Sequence, residues 1–466
     1  MKANLKKTMF REYDIRGRVN EEELNEKTAE IIAKGFAVFL KKRGLEETVV
    51  GFDAREYSER LKNGFIKGLL SSGIDVIEIG MVISPVLYFS QYFLRIKGGT
   101  MITASHNPNG WSGFKLAYDF STTLLPEDVK EIYEIILSNK FASGRGDFKK
   151  YEGIFEDYKK EVLSKINLKK KLKVVIDCGN GTAGIIAPQI LREAGCEVIE
   201  QFCDLDFSFP NHEPNPTLIE AQEALSKKVK KEGADIGLGY DGDGDRIGFC
   251  DEKGQNVFPD QALIILARQA LKEKPGSTIV FDVKGTQGLF EDIESHGGKP
   301  VIWKTGHSYI KQKSKEVNAV LGGEGSGHIF YRYGYYDYDD AIFASLKFLE
   351  YLSSQDKSFS EIMKTTPQYF KSPTIQVDCA DEIKYKIVEK LVEQIKKDFG
   401  KENVIDINGA RVQFPDGWFL IRASSNLPVL VLGFEAKTKK RLKEFQIIVK
   451  KYLTRHSEIG KKWKSG

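Results

Sequence analysis

The stretch Val174-Val175-Ile176-Asp177 is a short apolar run that ends in an aspartate, and the chain contains two counterparts of it. They are Val49-Val50-Gly51-Phe52-Asp53 and Ile279-Val280-Phe281-Asp282. Each run continues into a polar or glycine-containing loop, then a helix-like segment and a second apolar strand. Short apolar strands that alternate with helices are typical of parallel sheets covered on both faces. The wide spacing of the runs predicts three domains of one α/β architecture, with helices at 58–70, 183–194 and 286–296.

The last part of the chain has a different order of elements. A long helix is predicted at 381–399, followed by four strand-like runs and a final helix at 438–452. Strands grouped between helices are typical of an α+β domain. We therefore predict four domains: α/β domains with mixed or parallel sheets at 1–150, 151–257 and 258–368, and a smaller α+β domain at 369–466.

The composition limits the compartment and the partners. The chain has 466 residues, a formal net charge of +4, and five cysteines with no Cys-X-X-Cys pair. So small a charge imbalance gives no reason to expect nucleic acid, and scattered cysteines predict reduced thiols. No apolar run approaches the roughly 20 residues that cross a bilayer, and no signal-peptide core is present. We expect a cytoplasmic protein that binds neither membrane nor nucleic acid, as a monomer or weak homo-oligomer. Its Lys-rich end, 437–464, is expected to be a solvated helix face and a frayed end.

The strongest local motif is Asp241-Gly242-Asp243-Gly244-Asp245-Arg246. Three carboxylates at alternate positions, with glycines that allow a tight turn, can converge on one hard cation. The flanking runs at 234–239 and 247–250 predict strands rather than the helices of an EF-hand, and Arg246 stands where an EF-hand needs glycine. A solvated acidic turn is another reading, but it offers nothing to offset the repulsion among the carboxylates. The motif favours a magnesium site open to phosphate oxygens.

A second motif, Thr103-Ala104-Ser105-His106-Asn107-Pro108, follows the apolar run at 99–102. Ser105 is therefore predicted at the end of a strand, in a stiff turn. On its own the motif is equally typical of an ordinary Asx or Ser turn. It lacks the Gly-X-Ser-X-Gly sequence of a hydrolase. Beside a magnesium site, an exposed serine is suited to carry a phosphoryl group.

A third motif supports an alternative function. Residues 179–184, Gly-Asn-Gly-Thr-Ala-Gly, fit the Gly-X-Gly-X-X-Gly pattern of dinucleotide-binding folds, and Glu200 lies where a ribose-binding acid would stand. An NAD-dependent oxidoreductase is therefore an alternative. Against it, no second half with its own glycine signature follows, and the same unit recurs twice without the glycines. A tight strand-to-helix turn is the simpler interpretation of these glycines.

Two further loops carry groups that bind sugars and phosphates. In 322–328, Gly-Gly-Glu-Gly-Ser-Gly-His, the side chains of Glu324, Ser326 and His328 can hydrogen-bond sugar hydroxyls. In 422–428, Arg-Ala-Ser-Ser-Asn-Leu-Pro, Arg422 and the clustered hydroxyls can clamp a phosphate. Each motif is weak alone, and the second is also typical of a simple turn.

With these motifs in this order, the chain resembles the α-D-phosphohexomutase family, and specifically its bacterial phosphomannomutase/phosphoglucomutase branch. The resemblance extends over essentially the whole chain. Its motifs are 10–17 (Phe-Arg-Glu-Tyr-Asp-Ile-Arg-Gly), the Ser105 loop running on to Gly113-Phe114-Lys115, and the loops 241–246, 323–328 and 422–428. The resemblance implies four domains around a central cleft, three α/β and one smaller α+β.

The resemblance also implies an activity, an intramolecular phosphoryl transfer, and a set of residues for it. Hexose 1-phosphate and hexose 6-phosphate would interconvert through phosphoserine at Ser105 and a hexose 1,6-bisphosphate, which would also be an activator. One Mg²⁺ per chain would be held by Ser105, Asp241, Asp243 and Asp245. The other catalytic residues would be Lys115, Arg16, Arg246 and His106. The substrate-binding residues would be Tyr13, Lys284, His307, Glu324, Ser326, His328, Arg422, Ser424, Ser425 and Asn426.

Some positions depart from the pattern of the branch. Gly325 stands where a larger residue, often Met, is common, and Asn426 where the clamp usually has Thr. These departures leave the choice between glucose and mannose open. Phosphoglucosamine mutases are an alternative, but they usually open with a Gly-Thr-Asp-Gly-type motif in place of Tyr13-Asp14-Ile15-Arg16.

Overall fold

A computed structural model describes residues 5–425 and 427–465 of the chain. The chain divides into two compact units. One is formed by the chain up to Pro259 together with Ser326–Ser360, and the other by Asp260–Gly325 together with the chain from Glu361 onward. Each unit therefore uses two separate stretches of the chain.

The first unit contains a mixed sheet of seven strands. Glu47–Phe52 lies between Asp75–Met81 and Gly98–Ile102 and runs parallel to both. Trp111–Asp119 runs antiparallel beside Gly98–Ile102. The other strands of this sheet are Ile15–Arg18, Thr122–Thr123 and Phe148–Lys150. The helices along this part are Lys7–Met9 (3-10), Glu26–Lys41, Ser58–Ser71, Ser84–Leu94 and Pro126–Ser138.

The helix Glu26–Lys41 illustrates how the sequence specifies this layer. It begins after Asn25, whose side-chain oxygen accepts hydrogen bonds from the first backbone N–H groups, a cap that contributes about 1 kcal/mol. Its apolar face is buried. It packs on the helix Ser58–Ser71 so closely that a side chain at Gly64 would collide with the carbonyl of Glu26.

A second sheet of the same unit carries the acidic loop. Its central strands Ile236–Tyr240 and Ile247–Asp251 are antiparallel, and Tyr240 pairs with Ile247. The loop between them is therefore 241–246. The other strands are Lys173–Asp177, Glu197–Gln201 and Asn256–Val257. The helices of this part are Ile154–Leu163, Thr182–Ile185 (3-10), Ala187–Glu193 and Ile219–Glu232.

The helix predicted at 183–194 is divided in the structure, so that prediction was wrong in detail. A 3-10 helix, Thr182–Ile185, precedes a short α-helix, Ala187–Glu193. Pro188 causes the division, because it has no N–H to donate and its ring would clash with the carbonyl of the preceding turn.

The returning segment adds a hairpin that the sequence patterns did not predict. Ile329–Tyr331 pairs antiparallel with Tyr338–Asp339, and the helix Ala341–Ser353 follows. The ring of Tyr338 lies 5.6 Å from that of Tyr88. This contact holds the hairpin against the helix that carries Tyr88.

The second unit begins with three parallel strands. Thr278–Asp282 runs parallel to both Lys299–Trp303 and Leu321–Gly323. The helices along this part of the chain are Pro259–Glu273, Gln287–Ser295, His307–Glu316 and Phe359–Met363. The fold prediction of repeated α/β units is confirmed here as in the first unit.

The C-terminal part of the second unit is an antiparallel sheet with helices. Its strands are Phe370–Lys371, Ile375–Asp378, Val404–Ile405, Ala410–Phe414, Gly417–Ala423, Val429–Ala436 and Trp463–Ser465. Its helices are Lys384–Phe399, Lys401–Asn403 (3-10) and Lys439–Leu453. The prediction of a frayed end within 437–464 was wrong, because Trp463 pairs with Val377 and its ring stacks 5.8 Å from that of Phe434.

Two expectations concern the whole chain. All five cysteines are buried and free, as expected of reduced thiols. Within the described ranges, no helix combines the length and the apolarity needed to cross a bilayer. The four domain boundaries, the compartment and the oligomeric state stay predictions.

Candidate active site

The acidic loop places three carboxylates at one end of the five-stranded sheet. Asp241, Asp243 and Asp245 are fully buried, and one oxygen of each lies within 4.8 Å of the others. The backbone N–H groups of Asp245 and Arg246 both donate to Oδ1 of Asp241 at 3.1 Å, which closes the loop. Among the described residues, Oδ1 of Asp243 has no hydrogen-bond partner. Buried carboxylates with an unused oxygen are a donor set that fits a hard divalent cation.

The electrostatic environment differs along the loop. Burial, with repulsion from Asp245 and Asp243, raises the pKa of Asp241 well above its ordinary value. Burial would also raise the pKa of Asp245, but Lys115, His328 and other cations hold it well below. A bound cation would therefore stabilise the negative charge of Asp241, which burial and repulsion oppose.

Ser105 lies in the loop after the strand Gly98–Ile102 and contacts this acidic cluster. Its hydroxyl donates to Oδ2 of Asp241 at 2.6 Å, and Nδ1 of His106 lies 3.2 Å from Oγ of Ser105. The backbone of Ser105 has φ +52°, a left-handed conformation that is uncommon for a residue with a side chain. The structure thus brings the predicted phosphoryl carrier into hydrogen-bonding contact with Asp241, one of the predicted metal ligands.

Lys115 is brought to the same cluster by the strand Trp111–Asp119. Its ammonium pairs with Oδ2 of Asp243 at 2.6 Å and with Asp245. Burial opposes this charge, but the two carboxylates raise the pKa of Lys115 well above its ordinary value. Lys115 is therefore protonated at neutral pH in this state.

Ser84, which sequence reasoning missed, also binds the acidic loop. Its hydroxyl donates to Oδ2 of Asp243 at 2.6 Å, and its backbone N–H donates to the carbonyl of Asp243 at 2.9 Å. Ser84-Pro85 is a typical helix start, so the sequence could have located the turn. It could not have shown which carboxylate the serine meets, since that partner lies 159 positions away.

Arg16 supports the serine loop from the other side. Its Nε donates to Asp14 at 2.6 Å, and its Nη1 donates to the carbonyl of Ala104 at 3.1 Å and to Asn107 at 2.8 Å. Burial opposes its charge, but Asp14 keeps the pKa of Arg16 raised. Tyr13 is buried directly before Asp14.

Two histidines and Arg246 complete the predicted set in the first unit. Nε of Arg246 lies 3.3 Å from Nε2 of His328, and that nitrogen lies 3.3 Å from Asp245. Ser326 Oγ lies 3.2 Å from Nδ1 of His328. Burial, with Arg246 and Arg16, lowers the pKa of His106 well below its ordinary value. His106 is therefore neutral at pH 7.

The second unit gathers other predicted residues near the ends of its parallel strands. Nζ of Lys284 lies 3.5 Å from Asp282, and Asp282 accepts a hydrogen bond from the N–H of Gly325 at 3.1 Å. Glu324 accepts from the N–H of Gly306 at 2.6 Å, and His307 is buried at the start of the next helix. The structure thus places the predicted residues 284, 307 and 324 on adjacent loops.

The predicted phosphate clamp lies at the end of the strand Gly417–Ala423. Nη2 of Arg422 donates to Ser425 at 3.2 Å. Ser424 Oγ accepts from the N–H of Leu427 at 3.2 Å, which closes the turn. Asn426 lies outside the described residues.

The glycines of 179–184 pack against the acidic loop. A side chain at Gly181 would approach Cα of Gly242 to 2.7 Å, and the N–H of Thr182 donates to the carbonyl of Gly242 at 2.9 Å. Close approach of the two loops therefore explains Gly181, a reason that differs from the tight turn expected from the sequence, while Gly179, with φ +50°, does have a conformation that a tight turn needs.

Comparisons with known proteins agree along the whole chain. Four family models match in succession: phosphoglucomutase/phosphomannomutase alpha/beta/alpha domains I, II and III at residues 7–143, 155–254 and 258–370, and the C-terminal domain at 375–450. A curated phosphomannomutase/phosphoglucomutase of Pseudomonas putida is 41% identical over 453 residues, covering 97% of each chain. That of Pseudomonas syringae pv. tomato is 41% identical over 97% of this chain and 95% of its own. A crystal structure of a phosphoglucomutase/phosphomannomutase family protein from Burkholderia thailandensis aligns with TM-score 0.89 at 33% identity, covering 97% of this chain and 98% of its own.

Proposed function

The chain belongs to the phosphoglucomutase/phosphomannomutase family, and from that membership we propose that it interconverts hexose 1-phosphate and hexose 6-phosphate through a phosphoserine at Ser105. The observation that carries the proposal is the hydrogen bond from the Ser105 hydroxyl to Asp241. A serine that is hydrogen-bonded to one of three clustered, buried carboxylates is suited to phosphoryl transfer assisted by a cation. No such contact is needed in an oxidoreductase.

The acidic loop supports a Mg²⁺ site, one per chain. Asp241, Asp243 and Asp245, with an oxygen of phosphorylated Ser105, would hold the ion. When bound, Mg²⁺ would neutralise charge on the phosphoryl group being transferred. The unused oxygen of Asp243 and the buried oxygen-only ligands support this metal over a softer one.

The first half of the proposed reaction starts from phosphorylated Ser105. The bond from phosphorus to Ser105 Oγ breaks, and a new bond forms to the free hydroxyl oxygen of a hexose 1-phosphate or hexose 6-phosphate. The proton of that hydroxyl is lost, and the leaving Ser105 oxygen takes up a proton, so the step balances. This gives hexose 1,6-bisphosphate, which is therefore expected to activate an unphosphorylated chain by donating a phosphoryl group to Ser105. Arg16 fixes the serine loop, and Lys115 stays protonated and balances the negative charge of Asp243 and Asp245.

The second half returns the other phosphoryl group to Ser105. As Ser105 Oγ attacks, its proton leaves to Asp241, to which the hydroxyl donates, or to His106, whose Nδ1 is the other group within hydrogen-bonding distance. Lys284, His307, Glu324, Ser326 and His328 are proposed to bind the sugar, and Arg422, Ser424, Ser425 and Asn426 the phosphate that is not transferred. The bisphosphate must turn end for end between the halves, so these groups must accept both orientations.

The test combines turnover with intact mass. The purified protein, with Mg²⁺ and a trace of glucose 1,6-bisphosphate, should convert glucose 1-phosphate or mannose 1-phosphate into the 6-phosphate. Its mass should include one phosphoryl group that is absent in Ser105→Ala. Ser138→Ala, at an exposed helix end, is the matched control. Turnover of glucosamine 1-phosphate in preference to both sugars would instead favour a phosphoglucosamine mutase. An unphosphorylated, inactive wild-type chain would reject the proposal.

A further inference from the structure

Arg55 holds the serine loop through its carbonyl groups. The residue is buried after the strand Glu47–Phe52. Its Nη2 donates to the carbonyls of Ser105 at 2.9 Å and Asn107 at 2.6 Å. Its Nη1 donates to those of Pro108 at 3.1 Å and Trp111 at 3.4 Å. One planar side chain thus holds four backbone oxygens of the loop.

The serine loop needs such support at Ser105 itself. A residue with φ +52° keeps that conformation only where the surroundings impose it. Arg55 fixes the Ser105 carbonyl on one side. Gly242, which lies between Asp241 and Asp243 in the acidic loop, faces the same carbonyl. A Cβ on Gly242 would lie 2.5 Å from the oxygen of that carbonyl. Together these contacts determine where Ser105 Oγ lies relative to Asp241.

Arg55 is itself held in place. Its Nε lies 3.3 Å from Oδ2 of Asp53, while Oδ1 of Asp53 accepts from the N–H of Arg55 at 3.2 Å and from the Ser58 hydroxyl at 2.5 Å. The ring of Phe209 covers the guanidinium at 5.0 Å. A guanidinium held at its Nε edge by Asp53 and covered by Phe209 can transmit its position to the loop it binds.

We propose that Arg55 is a positioning residue that sets the Ser105 hydroxyl in line for phosphoryl transfer. The geometry of the guanidinium, rather than its charge, orients the loop. Only its planar fork can reach several carbonyls at once, whereas a lysine ammonium is a point donor. The inference rests on the proposed function of Ser105. It adds a residue that touches neither metal nor phosphate.

The main test measures phosphorylation of Ser105 in a single turnover. Unphosphorylated chain is mixed with Mg²⁺ and excess glucose 1,6-bisphosphate, and quenched samples are weighed intact to give a rate and an end point. Arg55→Lys should slow the rate by about 100-fold, the effect of a misplacement near 1 Å, while the end point stays at one phosphoryl group per chain. Misfolding would do the reverse, lowering the end point and keeping the rate constant of the folded fraction.

Two comparisons separate the guanidinium from general damage. Arg43→Lys is the matched control, because Arg43 also binds a carbonyl and two acids in this unit, at Phe39, Asp128 and Glu131, and its rate should match wild type. Arg55→Ala should regain rate when guanidinium chloride is added, and not with equal sodium chloride. Asp53→Asn, which keeps the fork but weakens its anchor, should slow the rate by a smaller factor.

The outcomes are distinct. A wild-type chain that takes up no phosphoryl group would reject the proposed function itself. A phosphorylated wild type with Arg55→Lys and Asp53→Asn both within twofold of its rate would overturn the positioning role alone. A lowered end point at an unchanged rate constant would also overturn it, since Arg55 would then serve folding. If Arg55→Lys fails to fold, an unchanged rate in Asp53→Asn overturns the role.

Discussion

The Ser105 hydroxyl donates a hydrogen bond of 2.6 Å to Oδ2 of Asp241, 136 positions further along the chain. The contact joins loops from two different sheets of one unit, so each loop depends on the other. Asp241 has the raised pKa, through burial and repulsion from Asp245 and Asp243. A bound cation would therefore stabilise its negative charge.

The first prediction concerns Asp241→Asn. The amide still accepts from Ser105 but has no charge, so the affinity for Mg²⁺ should fall at least about tenfold. Calorimetric titration of the unphosphorylated chain with Mg²⁺ measures this. Asp251→Asn is the control, because Asp251 is a buried acid whose oxygen only accepts from backbone N–H groups. Equal affinities in all three proteins would exclude Asp241 as a ligand.

The second prediction concerns Lys115→Met. The change leaves the buried Asp243 and Asp245 without their ammonium partner, and breaking a buried pair costs about 3–5 kcal/mol of folding stability. The metal-free variant should therefore melt well below wild type. Added Mg²⁺ should raise the melting temperature of the variant more than that of wild type, because it supplies the missing positive charge. Thermal unfolding with and without Mg²⁺ decides this, and identical metal-free melting temperatures would refute it.

The third prediction concerns Gly242→Ala. The added Cβ would lie 2.5 Å from the Ser105 carbonyl oxygen, so the serine loop must move away from the acidic loop. We expect kcat to fall by about 100-fold through this misplacement. Gly153→Ala is the control, because a Cβ there meets its nearest neighbour only at 3.5 Å and φ is −86°. Wild-type kcat in Gly242→Ala would show that the two loops need not touch.

Local patterns predicted much of this molecule, for physical reasons that individual residues show. The acidic loop was identifiable because its three carboxylates are neighbours in sequence, and the strands beside it are plainly apolar. Ser84 and Arg55 were not, because their partners lie in distant parts of the chain and nothing local distinguishes them from surface residues. The hairpin pairing Ile329–Tyr331 was missed since its strands are short, and Trp463 lies in a Lys-rich stretch whose composition suggested solvent. The positions of these residues depend on contacts with partners far away in the sequence, which local patterns do not show.

Asp340 gives a fourth prediction, away from the proposed ligands. Burial raises its pKa from 3.8 to about 6, although it accepts from the N–H of Phe343 and from the hydroxyls of Tyr335 and Tyr158. The folded chain therefore holds this proton more tightly than the unfolded chain. The contribution of this proton to the free energy of unfolding is complete below about pH 4 and is lost as the pH rises through about 6. The total loss is about 3 kcal/mol.

Asp340→Asn removes this titration while keeping an oxygen for Phe343, and the tyrosine hydroxyls can accept from the new amide. The melting temperature of the variant should therefore gain on that of wild type as the pH rises from 4 to 6, and the difference should be constant above about pH 7. Thermal scans in a series of buffers measure it. Asp204→Asn, an exposed acid, should show no such trend. A variant whose melting temperature falls relative to that of wild type as the pH rises would mean that the folded state prefers ionised Asp340, contrary to the effect of its burial.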